Sequence, residues 1–250
     1  MTDQKYPYLV FFATIFIYSM HRIIGFGKLE RITNNTRINT ILKFQKHIIL
    51  YGLIGLVGLI ISSLFIPFSI ILWLSIPALL ALVYILPIFG HKKRFRDLPF
   101  IKIFAIGVVW TWACVFIPMV YDNASLNLNQ VIFIFEKLLF IISITIPFDI
   151  RDLKVDNLHK IKTIPIELGE EKSKKIALAG IFICWVLVGL NYFSGFLTWS
   201  TWLALTFSYL ITASIIFLIN EKSHDYYFTG LLDGTIILQM ILILFFNQMF

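Results

Sequence analysis

The sequence predicts an all-α fold, a multi-pass transmembrane helical bundle of about eight spans in a single integral membrane domain covering 1–250. Three observations predict it. Hydrophobic residues make up 59% of the chain and charged residues only 14%, where a soluble domain carries about a quarter charged. The apolar residues fall in runs near the roughly 20 residues that a helix needs to cross a bilayer. The basic residues gather on alternate connections between those runs, as the positive-inside rule requires of a membrane protein.

The runs are 7–24, 48–66, 69–89, 99–120, 130–147, 176–193, 197–219 and 228–247. They must be helices because lipid offers the backbone no hydrogen-bond partners, and they lack the period of two that a barrel strand would show. The first run follows a short segment with one Lys and one Asp, and its positive flank comes afterwards, at Arg22, Lys28 and Arg31. With no small-residue cleavage site evident, it reads as a retained span with its N-terminus outside. Stretch 21–47 then holds six Lys or Arg, 90–102 five, 148–175 seven and 220–227 one, which is 19 of the 21 basic residues on one side. The opposite connections are short or nearly uncharged, such as Tyr121 to Gln130 with its single Asp122. The basic loops are therefore expected in the cytoplasm, with both termini outside, in a plasma (inner) membrane. The same placement explains the net charge of +7 without nucleic acid. Cys114 and Cys184 lie in apolar runs with no Cys or His at metal-ligand spacing, so they read as small buried hydrophobes.

The chemistry-bearing segment follows the fifth run: Phe148-Asp149-Ile150-Arg151-Asp152-Leu153-Lys154-Val155-Asp156. If the helix runs on at roughly 100° per residue, Asp149, Asp152 and Asp156 share an arc of about 60°. Three carboxylates on one face repel one another, and a hard divalent cation relieves the repulsion. Mg²⁺ takes oxygen ligands and commonly shares them with substrate phosphates. Lys160, Lys162 and Thr163 come next, and such cations would suit the far side of a diphosphate. A solvated acidic helix end, each Asp paired with a nearby Lys or Arg, accounts for the spacing alone equally well.

The stretch FDIRDLKVDNLHKIKTIPIELG resembles the second aspartate-rich motif of the UbiA superfamily of intramembrane prenyltransferases, with its aromatic residue, three spaced aspartates, Lys-Thr-hydrophobic-Pro segment and Gly. A second patch, PIFGHKKRFRDLP from Pro87 to Pro99, is similar to the family's Pro and basic cluster, which runs into a helix here containing Trp110. The resemblance implies a helical bundle around a lipid-accessible cavity, with the isoprenoid tail among apolar helices. Asp149, Asp152 and Asp156 would be the catalytic residues and the Mg²⁺ ligands. Lys162, Lys93, Arg94 and Arg96 would bind the substrate diphosphate, although ordinary positive-inside anchoring accounts for the last three as well. Loss of diphosphate would generate an allylic cation for an acceptor to capture, with metal and ammonium groups stabilising the departing charge.

The family has nine spans, and the order of the basic loops matches if the first family helix is lacking. The family's first aspartate-rich motif should then follow the first run. The sequence there is Tyr18-Ser19-Met20-His21-Arg22-Ile23-Ile24-Gly25, and Glu30 is the only carboxylate between residues 18 and 47. His21 and Arg22 would substitute if a cation replaces one metal at the diphosphate, since a guanidinium grips phosphate bidentately. The alternative is that Arg22 snorkels at a helix end and the first site has decayed.

Glu136 and Lys137 lie within the fifth run, where neighbours in a helix point about 100° apart and do not form an obvious pair; both could simply reach the outer interface. Glu136 is also roughly 20 Å along the helix from Asp149. Asp233 lies in the last run and is expected to bond to a neighbouring helix. Aromatic residues are plentiful, and some would shield a carbocation by cation–π contact. The chain has no zinc motif, Gly-rich nucleotide loop, nucleophilic triad or clear internal repeat. The leading expectation is a membrane prenyltransferase-like protein that performs Mg²⁺-dependent transfer of a polyprenyl group from its diphosphate to an unknown acceptor. The runner-up is an inactive descendant that binds an isoprenoid lipid or a partner protein, and a third reading is a small transporter.

Overall fold

The computed structural model describes residues 5–29, 43–86, 95, 98–122, 126–158 and 161–249. Those residues are helical with no strand among them. Eight helices among them are long and apolar enough to cross a membrane, one for each run in the sequence. The chain is an integral multi-pass membrane protein. Its contacts divide it into two compact units, Met1–Arg96 with Trp112–Ala124, and Asp97–Thr111 with Ser125–Phe250.

The first unit is built on α1 (Lys5–Leu29), α2 (Gln45–Ser63) and α3 (Phe68–Ile85). Without a hydrophobic force to drive apolar helices together in lipid, close packing must come from small residues. Gly52, Gly55 and Gly58 supply it on one face of α2. A β-carbon at Gly55 would lie 2.7 Å from the Phe16 backbone nitrogen, and one at Gly58 would strike the Phe12 ring. The fourth span starts as α4 (Ile101–Thr111) in the second unit, passes through a π-helical turn (Trp112–Phe116), and ends as α5 (Ile117–Asp122) in the first. The wider turn leaves backbone groups to be satisfied from outside. The Tyr6 hydroxyl donates to the Ala113 carbonyl, and the Trp112 indole N–H donates to the Trp73 carbonyl at 3.2 Å.

The second unit is centred on α6 (Leu128–Arg151), which packs against α4 and against α9 (Glu170–Phe193). Beyond α9 come α10 (Trp199–Leu218) and α11 (Asp233–Met249), the last preceded by a second π-helical turn, Tyr227–Leu232. A capping box of Asn127 and Gln130 starts α6. Gly180 of α9 lets Ser143 of α6 come close, since a β-carbon there would lie 2.1 Å from the Ser143 hydroxyl.

Glu136 and Lys137 do not reach an outer interface as separate groups. Glu136 is 0% exposed, and Lys137 Nζ turns back to its carboxylate at 3.2 Å. The Tyr209 hydroxyl of α10 donates to Glu136, Lys137 donates to Gln239 Oε1 of α11 at 3.1 Å, and the Cys184 thiol of α9 lies 3.4 Å from the Glu136 carbonyl. Adjacent residues pair because three other helices surround them with polar partners, and a charge in lipid is costly without one. Asp233 opens α11, exposed, with the charge of Arg151 acting on it. It makes no side-chain hydrogen bond to another described residue, so the interhelical bond expected of it is not formed.

Two stability predictions follow from this packing. Gly55→Ala should cost about 1–3 kcal/mol through overpacking, seen as a lower midpoint in a detergent thermal melt. Gly234→Ala, where nothing lies within 4 Å of the added carbon, should not. Lys137→Met should cost about 3–5 kcal/mol by stranding the Glu136 charge, and the added change Glu136→Gln should restore most of the loss in the same melt.

Candidate functional site

The three aspartates converge, but not on a continuous helix. Asp149 stands in the last turn of α6. Asp152 caps that helix, and the chain restarts as α7 (Leu153–Leu158), which carries Asp156. Backbone bonds bridge the break: the Asp152 N–H donates to the Phe148 carbonyl at 3.0 Å, and the Asp156 N–H to the Asp152 carbonyl at 2.9 Å. Asp149 and Asp156 are buried.

The convergence point is the Lys102 ammonium, near the start of α4. Its Nζ lies 2.7 Å from Asp149 Oδ1, 3.4 Å from Asp156 Oδ2 and 3.6 Å from Asp152 Oδ2. Lys102 is itself buried. Two residues before it, Phe100 has φ +60°, the left-handed region that a bulky L-residue enters only when its surroundings force it. The Phe100 N–H donates to the Lys162 carbonyl at 3.1 Å, which ties the start of α4 to the segment after α7. That segment continues through buried Thr163 into α8 (Ile164–Leu168), which buries Pro165, and ends at Gly169, φ +82°.

Arg151 organises the outer side of the cluster. Its Nε and Nη2 hold the Asp152 carboxylate at 2.9 and 3.3 Å, and its Nη1 reaches Asp225 at 3.1 Å. The guanidinium also lies 4.9 Å from the Phe148 ring centre and 5.6 Å from that of Phe228. Lys154 pairs with Glu221 at 3.2 Å, and the Glu221 N–H donates to Glu170 at 3.3 Å. The connection between α10 and α11 is thus clasped to the carboxylate segment at two points.

Lys102 and Arg151 touch four aspartates, of which Asp149 and Asp156 are buried and Asp152 and Asp225 are partly exposed. Their oxygens are the hard donors that Mg²⁺ takes, so the donor set fits. The spacing is that of an ammonium, since Mg²⁺ binds oxygen near 2.0–2.1 Å. Among the described residues no group of three His, Cys, Asp or Glu is set to hold a metal ion.

Two of the other expected residues have partners of their own. Lys162 has a 64% exposed side chain and pairs with Glu167 at 3.4 Å. Arg22, in the first unit, lies 4.8 Å from the Tyr18 ring centre and donates to its hydroxyl. His21 neighbours the Tyr84 ring. Lys93, Arg94 and Arg96 lie outside the described residues, as does Lys160. Sequence reasoning missed Lys102 by counting it with the basic loop 90–102. Its signal was a lone lysine between Ile101 and Ile103, already within the fourth apolar run.

A family model described as the UbiA prenyltransferase family matches residues 39–232. A solved structure of a digeranylgeranylglyceryl phosphate synthase in membranes is similar in fold, with a TM-score of 0.57 and 20% identity over 97% of this chain and 83% of that one. No curated protein matches the sequence.

The Arg151 clasp generates a prediction. Arg151→Gln should speed amide hydrogen exchange across 219–227, read by mass spectrometry, while Lys172→Gln should leave that segment unchanged.

Proposed function

This chain belongs to the UbiA prenyltransferase family, and on that premise we propose that it is an intramembrane prenyltransferase whose diphosphate site is the Asp149, Asp152 and Asp156 cluster. The observation that supports this reading most is the convergence of three carboxylates within 3.6 Å of one ammonium at the end of a spanning helix. A carboxylate trio alone would repel a prenyl diphosphate, so the reading requires Mg²⁺ at Asp149, Asp152 and Asp156. When bound, the ion would offset part of the diphosphate's charge and stabilise the charge of the leaving group.

The chain's own residues do the rest. Arg151 fixes the Asp152 carboxylate, and the bonded turn at Asp152 keeps Asp149 and Asp156 facing the same point. Lys102 and Lys162 supply ammonium groups for phosphate oxygens. The isoprenoid tail, being apolar, lies along the spanning helices. The membrane orientation consistent with the charge bias puts the basic loops, and with them this site, on the cytoplasmic face of a plasma (inner) membrane, with both termini outside.

One observation favours a second reading. Tyr18 to Gly25 stands where the first aspartate-rich motif would be, and the remaining trio is paired with Lys102. A descendant that binds an isoprenoid lipid without turning it over would have both features.

Binding of geranylgeranyl diphosphate to the purified protein separates the two. The enzyme reading predicts binding that requires Mg²⁺ and weakens about tenfold to a hundredfold in Asp152→Asn, as expected for loss of a charge-assisted contact. Binding indifferent to both metal and substitution would establish the lipid-binding descendant instead.

A further inference from the structure

The position of Lys102 bears on how the proposed site loads. Its ammonium lies within 2.7–3.6 Å of an oxygen from each of the three aspartates that the preceding reading assigns to the metal. Those contacts are ammonium contacts, longer than the 2.0–2.1 Å at which Mg²⁺ binds oxygen. An ammonium and a metal ion cannot occupy one point, and their like charges repel at close range. Lys102 also sits on a different helix from the aspartates, at the start of α4, and a lysine has a flexible four-carbon stem. Its head can therefore swing while the carboxylates stay on α6 and α7.

Resting on that reading, we propose that Lys102 competes with the divalent ion for the three carboxylates, holding them together before the metal binds and turning its ammonium to the diphosphate oxygens once the metal has entered. Lys102 is a positioning residue before the metal binds and a phosphate-binding residue after it. Metal and diphosphate then bind with positive coupling, because each favours the same displaced lysine.

Titration with Mn²⁺, followed by electron paramagnetic resonance on the protein in lipid nanodiscs without diphosphate, tests this directly. Lys102→Met should bind Mn²⁺ about tenfold more tightly than the wild type, since a competitor for the carboxylates has been removed. Lys102→Arg should stay near the wild type. Inorganic pyrophosphate, added at saturating Mn²⁺, should bind Lys102→Met about tenfold more weakly. A purely structural lysine would not raise metal affinity when lost.

A second measurement needs no variant. Mn²⁺ should accelerate reductive methylation of Lys102 in the wild-type protein, read by mass spectrometry of its peptide. Mn²⁺ affinity that is unchanged or weaker in Lys102→Met overturns the proposal, as does a methylation rate indifferent to Mn²⁺. If Asp152→Asn still abolishes Mn²⁺ binding in those cases, the metal site itself stands. Absence of Mn²⁺ binding in the wild type, with or without pyrophosphate, removes the metal reading and this proposal together.

Discussion

One lysine ammonium faces three aspartates at the end of the central helix of the second unit, and much of the local structure depends on that contact. Lys102 reaches the cluster because α4 starts where it does, and α4 starts there because Phe100 takes a left-handed conformation held by the Lys162 carbonyl. Asp156 reaches it because the chain breaks at Asp152 and restarts as a short helix. Burying two carboxylates beside a third, partly exposed one would cost several kcal/mol per buried ion without compensation. Lys102 offsets that cost from inside the cluster, and Arg151 does so from its edge, with Phe148 and Phe228 packed on the guanidinium.

The same rule operates deeper in the second unit. Among the described residues Glu136 is the most deeply buried carboxylate; its neighbour Lys137 and Tyr209 of α10 meet it, and Gln239 of α11 meets Lys137 in turn. In a lipid environment such bonds fix which helices are neighbours and in what register, since apolar side chains alone pack almost as well in several arrangements. The first unit solves the same problem by shape, with glycines on α2 admitting the backbone and rings of α1.

The membrane architecture was legible in the sequence because each span is a local property: eight apolar runs became eight helices, with edges moved by a turn or so. The convergence of Asp149, Asp152 and Asp156 was legible too, since their spacing holds them on one side even though the helix breaks between them. What faces them was not legible. Lys102 stands 47 residues before Asp149, and nothing local distinguishes it from the basic loop that precedes it. The pairing of Glu136 with Lys137 was missed for a related reason. Adjacent helical side chains diverge unless outside groups bend them together, and those groups, Tyr209 and Gln239, belong to α10 and α11. The absence of a carboxylate from Tyr18 to Gly25 was plain in the sequence.

The central claim is that this carboxylate cluster holds a prenyl diphosphate through a divalent ion. The most direct test is ³¹P electron–nuclear double resonance on protein loaded with Mn²⁺ and a non-hydrolysable thiolodiphosphate analogue of geranylgeranyl diphosphate. The account predicts a strong ³¹P coupling to the bound Mn²⁺ that disappears in Asp149→Asn. A bound Mn²⁺ with no ³¹P coupling, or a coupling that survives that substitution, would contradict it.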